Sequence, residues 1–417
     1  MISLLRSLAV ALLGGGVVAA GVRAAPPLPP GDFPRGGNTS SSVDSGELST
    51  ADHQASNDSA FVRINDLVES VRKKHDVIAL AGAVVDEAGV WAIGVAGVRE
   101  AGSKTPVEIN DRFHIGSCTK SMTATVCAKL VEDKRLSWHT TIADSFPEIK
   151  EKINPAFLPV TLEQLLCHRA GLPEDGKPGT TFFQILVLEG DIRERRQKAV
   201  ELFMAKEPSA PPGSQFIYSN AGFVIAGAMA ERASGRNWET LMTEYLFEPL
   251  GMETAGFGAP GSAEVLDQPR GHAAGMVWGR NPVIPGPFAD NPEVLGPAGR
   301  VHCSLMDWGK YAALHLAATQ RDTSFLTQSA FDKLHSDPFD QDYAFGWGQG
   351  RPDWTSGEVL QHAGSNTRWY ARIHLDTGRR VGYLMATNHV DDAAVAAATE
   401  LLPELVRWSR ERGPRRE

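Results

Sequence analysis

A serine and a lysine stand three positions apart in the stretch Phe113-His114-Ile115-Gly116-Ser117-Cys118-Thr119-Lys120-Ser121-Met122, which reads as the approach to a buried helix. On a helix, residues i and i+3 are neighbours on one face, so this spacing brings a hydroxyl and an amine together. A serine hydroxyl is hardly ionised at neutral pH and needs a base within hydrogen-bond reach. A lysine desolvated in a tight pocket becomes neutral enough to serve. The spacing alone is a weak signal, since roughly one or two such matches arise by chance in a chain of this length. A second match, Ser70-Val71-Arg72-Lys73, sits on a helix whose apolar stripe is Phe61, Ile64, Leu67, Val68 and Val71. The helical wheel turns Ser70 and Lys73 toward solvent. Ser117 differs: a strand-like run and a glycine precede it, and the run from Met122 to Leu130 that follows is small and apolar on most faces.

A Ser-Lys pair also needs a group to move protons to and from the leaving atom, donors for the oxyanion and polar anchors for substrate. Tyr218-Ser219-Asn220 supplies the first and part of the last. A phenol held near a lysine ammonium can ionise, take the proton of Ser117 and return it to the leaving group. His362-Ala363-Gly364 completes the set at the end of a strand. Its glycine lets substrate approach the backbone, and the next N–H, on Ser365, can face an oxyanion. Two decoys share that pattern, His114-Ile115-Gly116 and, with lysine, Lys177-Pro178-Gly179, but order along the chain and local context favour His362. His168, in the short helix that begins at Thr161 and is ended by Gly171 and Pro173, reads by default as a capping or core-polar residue.

The elements that must position these groups follow from periodicity. An amphipathic helix runs from Phe61 to about Lys74, and strands at Ile78 to Asp86 and Val90 to Gly97 form a hairpin. From Leu130 to about Leu250 the pattern is mostly helical, and Gly256 to Gly299 reads as irregular loops at the rim of a site. Strands return at Val359 to His362, Arg368 to Leu375 and Val381 to Thr387, before a last amphipathic helix from Asp392 to Trp408. Strands at both ends with helices between them predict an α+β fold. One antiparallel sheet is built from the N- and C-terminal segments, flanked by helices, with a mostly helical region inserted.

The 417 residues, 42% hydrophobic and 22% charged, are ordinary for a globular protein, and the net charge of −9 disfavours nucleic-acid binding. Residues 1–24 read as an export signal, with Arg6 before an apolar run and Val22-Arg23-Ala24 at the cleavage position; an uncleaved anchor is the alternative. Residues 25–60 read as a disordered linker, 61–410 as the folded domain and 411–417 as a basic tail. An exported, periplasmic or extracellular location follows. Cys118, Cys127, Cys167 and Cys303 are few and lack metal-ligand spacing, which makes them buried hydrophobe-like thiols. No metal site and no cofactor are expected, and the oligomeric state is not legible.

The order Ser117-x-x-Lys120, Tyr218-x-Asn220, His362-x-Gly364 resembles the serine β-lactamase-related hydrolases, which include class C β-lactamases, D-alanyl-D-alanine carboxypeptidases, D-aminopeptidases and esterases. Further matches are Leu165 to Pro173, Tyr218 to Phe223, Glu248 to Met252, Gly296-Pro297-Ala298-Gly299 and Tyr343 to Trp347. The resemblance implies the β-lactamase/transpeptidase-like fold and an acyl-enzyme on Ser117. It also implies Lys120 and Tyr218 as the proton-transfer pair, and an oxyanion hole from the N–H groups of Ser117 and Ser365. Asn220, His362, Gly364 and Ser365 would line the substrate site. The expected substrate is a small ester or a peptide containing D-amino acids, with a class C-type β-lactamase and a non-catalytic penicillin- or cell-wall-peptide-binding protein as alternatives. Two departures stand out. His362 replaces the lysine of typical β-lactamases, which implies weak β-lactam hydrolysis, and Arg300 follows Gly299 where relatives often carry a second glycine.

Overall fold

The computed structural model describes residues 61–173, 181–274, 280–318, 324–355 and 357–413; the expected signal, the linker and the Lys177-Pro178-Gly179 triplet lie outside the described residues. The main sheet holds β1 (Val62–Arg63), β2 (Ala79–Asp86), β3 (Gly89–Gly97), β4 (Tyr343–Ala344), β5 (Trp347–Gly350), β6 (Val359–Ser365), β7 (Tyr370–Asp376) and β8 (Val381–Thr387). Their order is β1-β3-β2-β8-β7-β6-β5-β4, so the two ends of the chain meet where β2 pairs with β8, Leu80 opposite Thr387. All neighbours run antiparallel except β1 beside β3. The expected first helix therefore starts later, at Asn65, because Val62 and Arg63 pair with Ala92 and Ile93 instead.

Alternation along the strands divides the core into two layers. In β2, Leu80 and Val84 face Val68 of the helix Asn65–Lys74 and Leu401 and Leu405 of the helix Asp392–Arg412. Ala81, Ala83 and Val85 face the other way, into the cluster that holds Met122, Tyr311 and Leu316. The C-terminal helix continues to Arg412, past the expected end at Trp408. Trp408 packs edge-on against Trp91 at 5.2 Å and the Arg412 guanidinium lies 4.5 Å from the Trp408 ring centroid, so the first residues of the expected tail are helical.

The inserted region is helical, with Thr119–Glu132 at its centre against Asn220–Ser234. The stretch read as loops between Gly256 and Gly299 contains short strands at Gly256–Phe257, His272–Ala274 and Arg280–Pro282 and a helical turn at Gly296–Gly299. Phe113–His114, Val301–Cys303 and Gly256–Phe257 form a small second sheet, which brings that turn beside the approach to Ser117.

Arg196, on the helix Ile192–Met204, is fully buried and locks this turn in place. It donates to the carboxylates of Glu231 and Glu239, to Val294 O at 3.3 Å and to Glu293 O at 3.2 Å. Removing one partner of a buried ion pair strands the other charge. Arg196→Met is therefore expected to lower the unfolding free energy by about 3–5 kcal/mol in urea titrations; a loss below about 1 kcal/mol would refute this role.

Candidate functional site

Ser117 occupies a short turn, Gly116–Cys118, that feeds directly into the helix beginning at Thr119. Lys120, one position in, is fully buried and reaches back. Its Nζ lies 3.0 Å from Ser117 Oγ, 2.6 Å from Asn220 Oδ1 and 2.7 Å from the carbonyl oxygen of Ala298. The amide oxygen and the carbonyl can only accept, so they take two N–H groups whatever the charge. The third position of the nitrogen faces the serine. It is an N–H in the ammonium and a lone pair in the amine, so a proton can pass along the 3.0 Å contact in either direction.

Tyr218 stands beside the amine, with Lys120 Nζ 5.0 Å from its ring centroid. The tyrosine is held by His168, whose ring centroid is 4.3 Å from that of Tyr218 and whose Nδ1 accepts the N–H of Ser219 at 3.1 Å. His168 has a left-handed backbone, φ 56°, and its carbonyl accepts from Ile217 N at 2.9 Å. Burial, then the nearby Lys120 and His362, push its imidazole well below the usual histidine range. It is a neutral, ring-packed support for the Tyr218 segment.

His362 lines the far wall from β6. Its Nδ1–H donates to Ala363 O at 2.7 Å, which leaves Nε2 to accept from the Tyr343 hydroxyl at 3.5 Å. Desolvation, reinforced by the Lys120 charge, lowers its pKa to about 3. Tyr343, from β4, is buried and its phenol is pushed well above its ordinary value, chiefly by burial.

The backbone around Ser117 and Ser365 meets without side chains between. A Cβ on Gly116, whose φ is +51°, would lie 2.3 Å from Ser365 N, and one on Gly364 would lie 2.0 Å from Ile115 O and 2.7 Å from Ser117 N. Only glycine fits at both positions. The same logic holds where Gly346, after Tyr343, packs against the start of the helix: a Cβ there would be 2.5 Å from Ser121 N.

The residues singled out by sequence thus converge: Ser117, Lys120, Tyr218, Asn220, His362, Gly364 and Ser365 surround one cleft. Ser70 and Lys73 are exposed on the first helix, Lys73 within 3.3 Å of Glu69. The decoy His114 is fully buried beneath the Ser117 turn. Arg300 turns away from the amine to Asp290, its Nε 3.2 Å from Oδ2. All four cysteines are unbridged and buried; burial pushes the thiols of Cys127 and Cys167 up to about 12 and that of Cys118 higher still. Sequence reasoning missed the Ala298 carbonyl, which has no side-chain signature, and Tyr343, although its motif from Tyr343 to Trp347 was visible. His168 takes the core-polar role read for it, as a buried support for the Tyr218 segment.

A family model described as Beta-lactamase matches residues 64–404, most of the described chain. The chain belongs to the Beta-lactamase family. That membership supports a hydrolase activity. Among characterised relatives, "Unguisins hydrolase ungD" of Aspergillus violaceofuscus is 30% identical over 241 residues, 56% of this chain but only 41% of that protein. "Penicillin-binding protein 4" of Amycolatopsis lactamdurans is 25% identical over 351 residues, covering 81% of this chain and 87% of the relative. The structure of a penicillin-binding protein homologue from Pyrococcus abyssi aligns with a TM-score of 0.66 at 22% identity, over 82% of this chain and 76% of the other. That of D-amino acid amidase from Ochrobactrum anthropi aligns with a TM-score of 0.64 at 21% identity, over 83% and 99%. At such identities these structures bear on the Beta-lactamase fold alone.

The His362 wall is testable by titration. The unfolded imidazole takes its proton near 6.5 and the folded one near 3, so this group leaves stability intact above that window and erodes it as pH falls through it. In NMR spectra the His362 ring resonances are expected to stay flat from about pH 8 to 5; a midpoint near 6.5 would overturn the neutral wall.

Proposed function

We propose that this chain is an exported serine hydrolase that forms an acyl-enzyme on Ser117 from a small ester or from an amide of a D-amino-acid peptide. The observation that carries the reading is the buried Lys120 amine, held by Asn220 and Ala298 with its remaining position 3.0 Å from Ser117 Oγ. Ser117 Oγ bonds to the carbonyl carbon while its proton passes to the Lys120–Tyr218 pair. The negative charge moves to the carbonyl oxygen, where the N–H groups of Ser117 and Ser365 receive it. Collapse breaks the bond to the alcohol or amine, which leaves with the proton returned by the same pair. Water then repeats the sequence on the acyl group, and Asn220 and His362 position substrate. Lys120 and Tyr218 act as one proton-transfer pair, so neither is singled out as the base.

The neutral His362 wall supports a substrate that presents no carboxylate there, in contrast to the lysine of typical β-lactamases. A relative named as an unguisins hydrolase supports the hydrolase reading. Among the described residues no helix is long and apolar enough to cross a membrane, and export rests on the sequence of residues 1–24.

With a p-nitrophenyl ester, Ser117→Ala is expected to abolish the burst and the acyl adduct in intact mass and to cut turnover by at least ~10³-fold, with Ser70→Ala unchanged. Turnover that survives in Ser117→Ala would overturn the assignment. A stable adduct without turnover in the unmutated protein would favour the binding-protein reading, and rapid nitrocefin turnover the β-lactamase reading. His362→Lys, which places a cation on the wall, is expected to raise kcat/KM for a carboxylate-bearing amide over its neutral methyl ester by roughly tenfold; an unchanged ratio would show that the wall does not select charge.

A further inference from the structure

Beneath the cleft lies a polar cluster that the proposed chemistry does not use. His114 Nδ1 accepts the N–H of Gly116 at 3.1 Å, so its proton sits on Nε2, which donates to Asp290 Oδ2 at 3.0 Å. The other oxygen, Asp290 Oδ1, accepts from Asn366 Nδ2 and from Asn291 N, each at 2.7 Å. Asn366 in turn holds its own loop, its Oδ1 accepting from Arg368 N at 3.2 Å and Trp369 N at 3.1 Å. His114 is fully buried, Asn366 is 1% exposed and the Asp290 side chain 2%. Burial alone would raise the Asp290 carboxyl, but His114, Arg300 and Asn366 outweigh it and hold the group down to about 2.

The placement of the two ends of this cluster is what matters. Gly116 immediately precedes Ser117, and Asn366 immediately follows Ser365. We infer that Asp290 is a positioning residue that ties the two oxyanion donors together, through His114 to the Ser117 turn and through Asn366 to the Ser365 turn. A single buried carboxylate then fixes the spacing of two N–H groups that belong to segments far apart in sequence. Arg300, which stands where relatives often have glycine, keeps that carboxylate ionised and aimed. Preorganised donors stabilise an oxyanion only where their geometry is fixed before the charge develops. The inference rests on the proposed role of Ser117 and Ser365.

The test uses the p-nitrophenyl ester and an arylboronic acid, whose boron bonds to the serine oxygen and places a tetrahedral oxygen in the hole. Asp290→Asn is expected to slow acylation in the burst phase by about 10–100-fold, below the loss from deleting an oxyanion donor outright. Boronate affinity is expected to weaken in parallel, while the ester dissociation constant stays within about threefold. Asn366→Ala, which cuts one arm of the link, gives the same pattern if Asp290→Asn does not fold. Exchanging the pair, D290N with N366D, keeps a hydrogen bond across the contact and is expected to restore most of the acylation rate lost in D290N. A folded D290N or N366A with an unchanged acylation rate, or with slowed acylation but full boronate affinity, would overturn the inference while leaving the Ser117 reading intact. Turnover persisting in Ser117→Ala would overturn both.

Discussion

A lysine amine with no exposure to solvent is the constraint on which this site depends. Burying such a group without partners is costly, so its position is tolerable only where acceptors close around it. Here they come from three places: the serine one turn back, the first residue of the helix Asn220–Ser234, and a carbonyl in the turn Gly296–Gly299. The turn is set in its turn by Arg196 and the carboxylates around it. The helical insertion is thus a device for delivering two acceptors to one nitrogen.

The opposite wall obeys a different rule, that of close backbone approach. β6 comes within reach of the Ser117 turn because Gly116 and Gly364 face each other with nothing in between. The rings of His168, Tyr218, Tyr343 and His362 then fill the space to the side, and each histidine is fixed in one tautomer by what its Nδ1 touches. The result is an amine on one side of the serine and an uncharged aromatic surface on the other. That asymmetry sets a buried amine and neutral rings on opposite sides of one hydroxyl.

Much of this was legible in the sequence, and the reason is locality. Ser117 and Lys120 announce themselves because one helical turn places them together, and Ser70 and Lys73 could be set aside because the apolar stripe around them pointed elsewhere. Tyr218 and His362 were legible only as members of an ordered set, since nothing local distinguishes a working tyrosine from a buried one. The Ala298 carbonyl, the Tyr343 hydroxyl and the role of Asp290 were not legible, because each depends on a contact between segments whose sequence separation carries no pattern. Element ends shifted for the same reason. β1 took residues from the expected first helix by pairing with β3, and the last helix gained a turn by packing Trp408 against Trp91.

The pairing of β2 with β8 has a consequence for how the molecule comes into being. The hairpin of β2 and β3 is among the first parts of the folded chain to be synthesised, yet the free edge of β2 finds its partner only when residues 381–387 have been made. Until then that edge is a row of unpaired amides and carbonyls, and the turn that carries Ser117 has no β6 to lean on. Completion of this sheet therefore waits on residues 381–387 and requires the slow closure of a long loop. A sheet whose interior joins the two ends of the folded region cannot be complete on any shorter nascent chain, so this inner strand pair is also among its last to form.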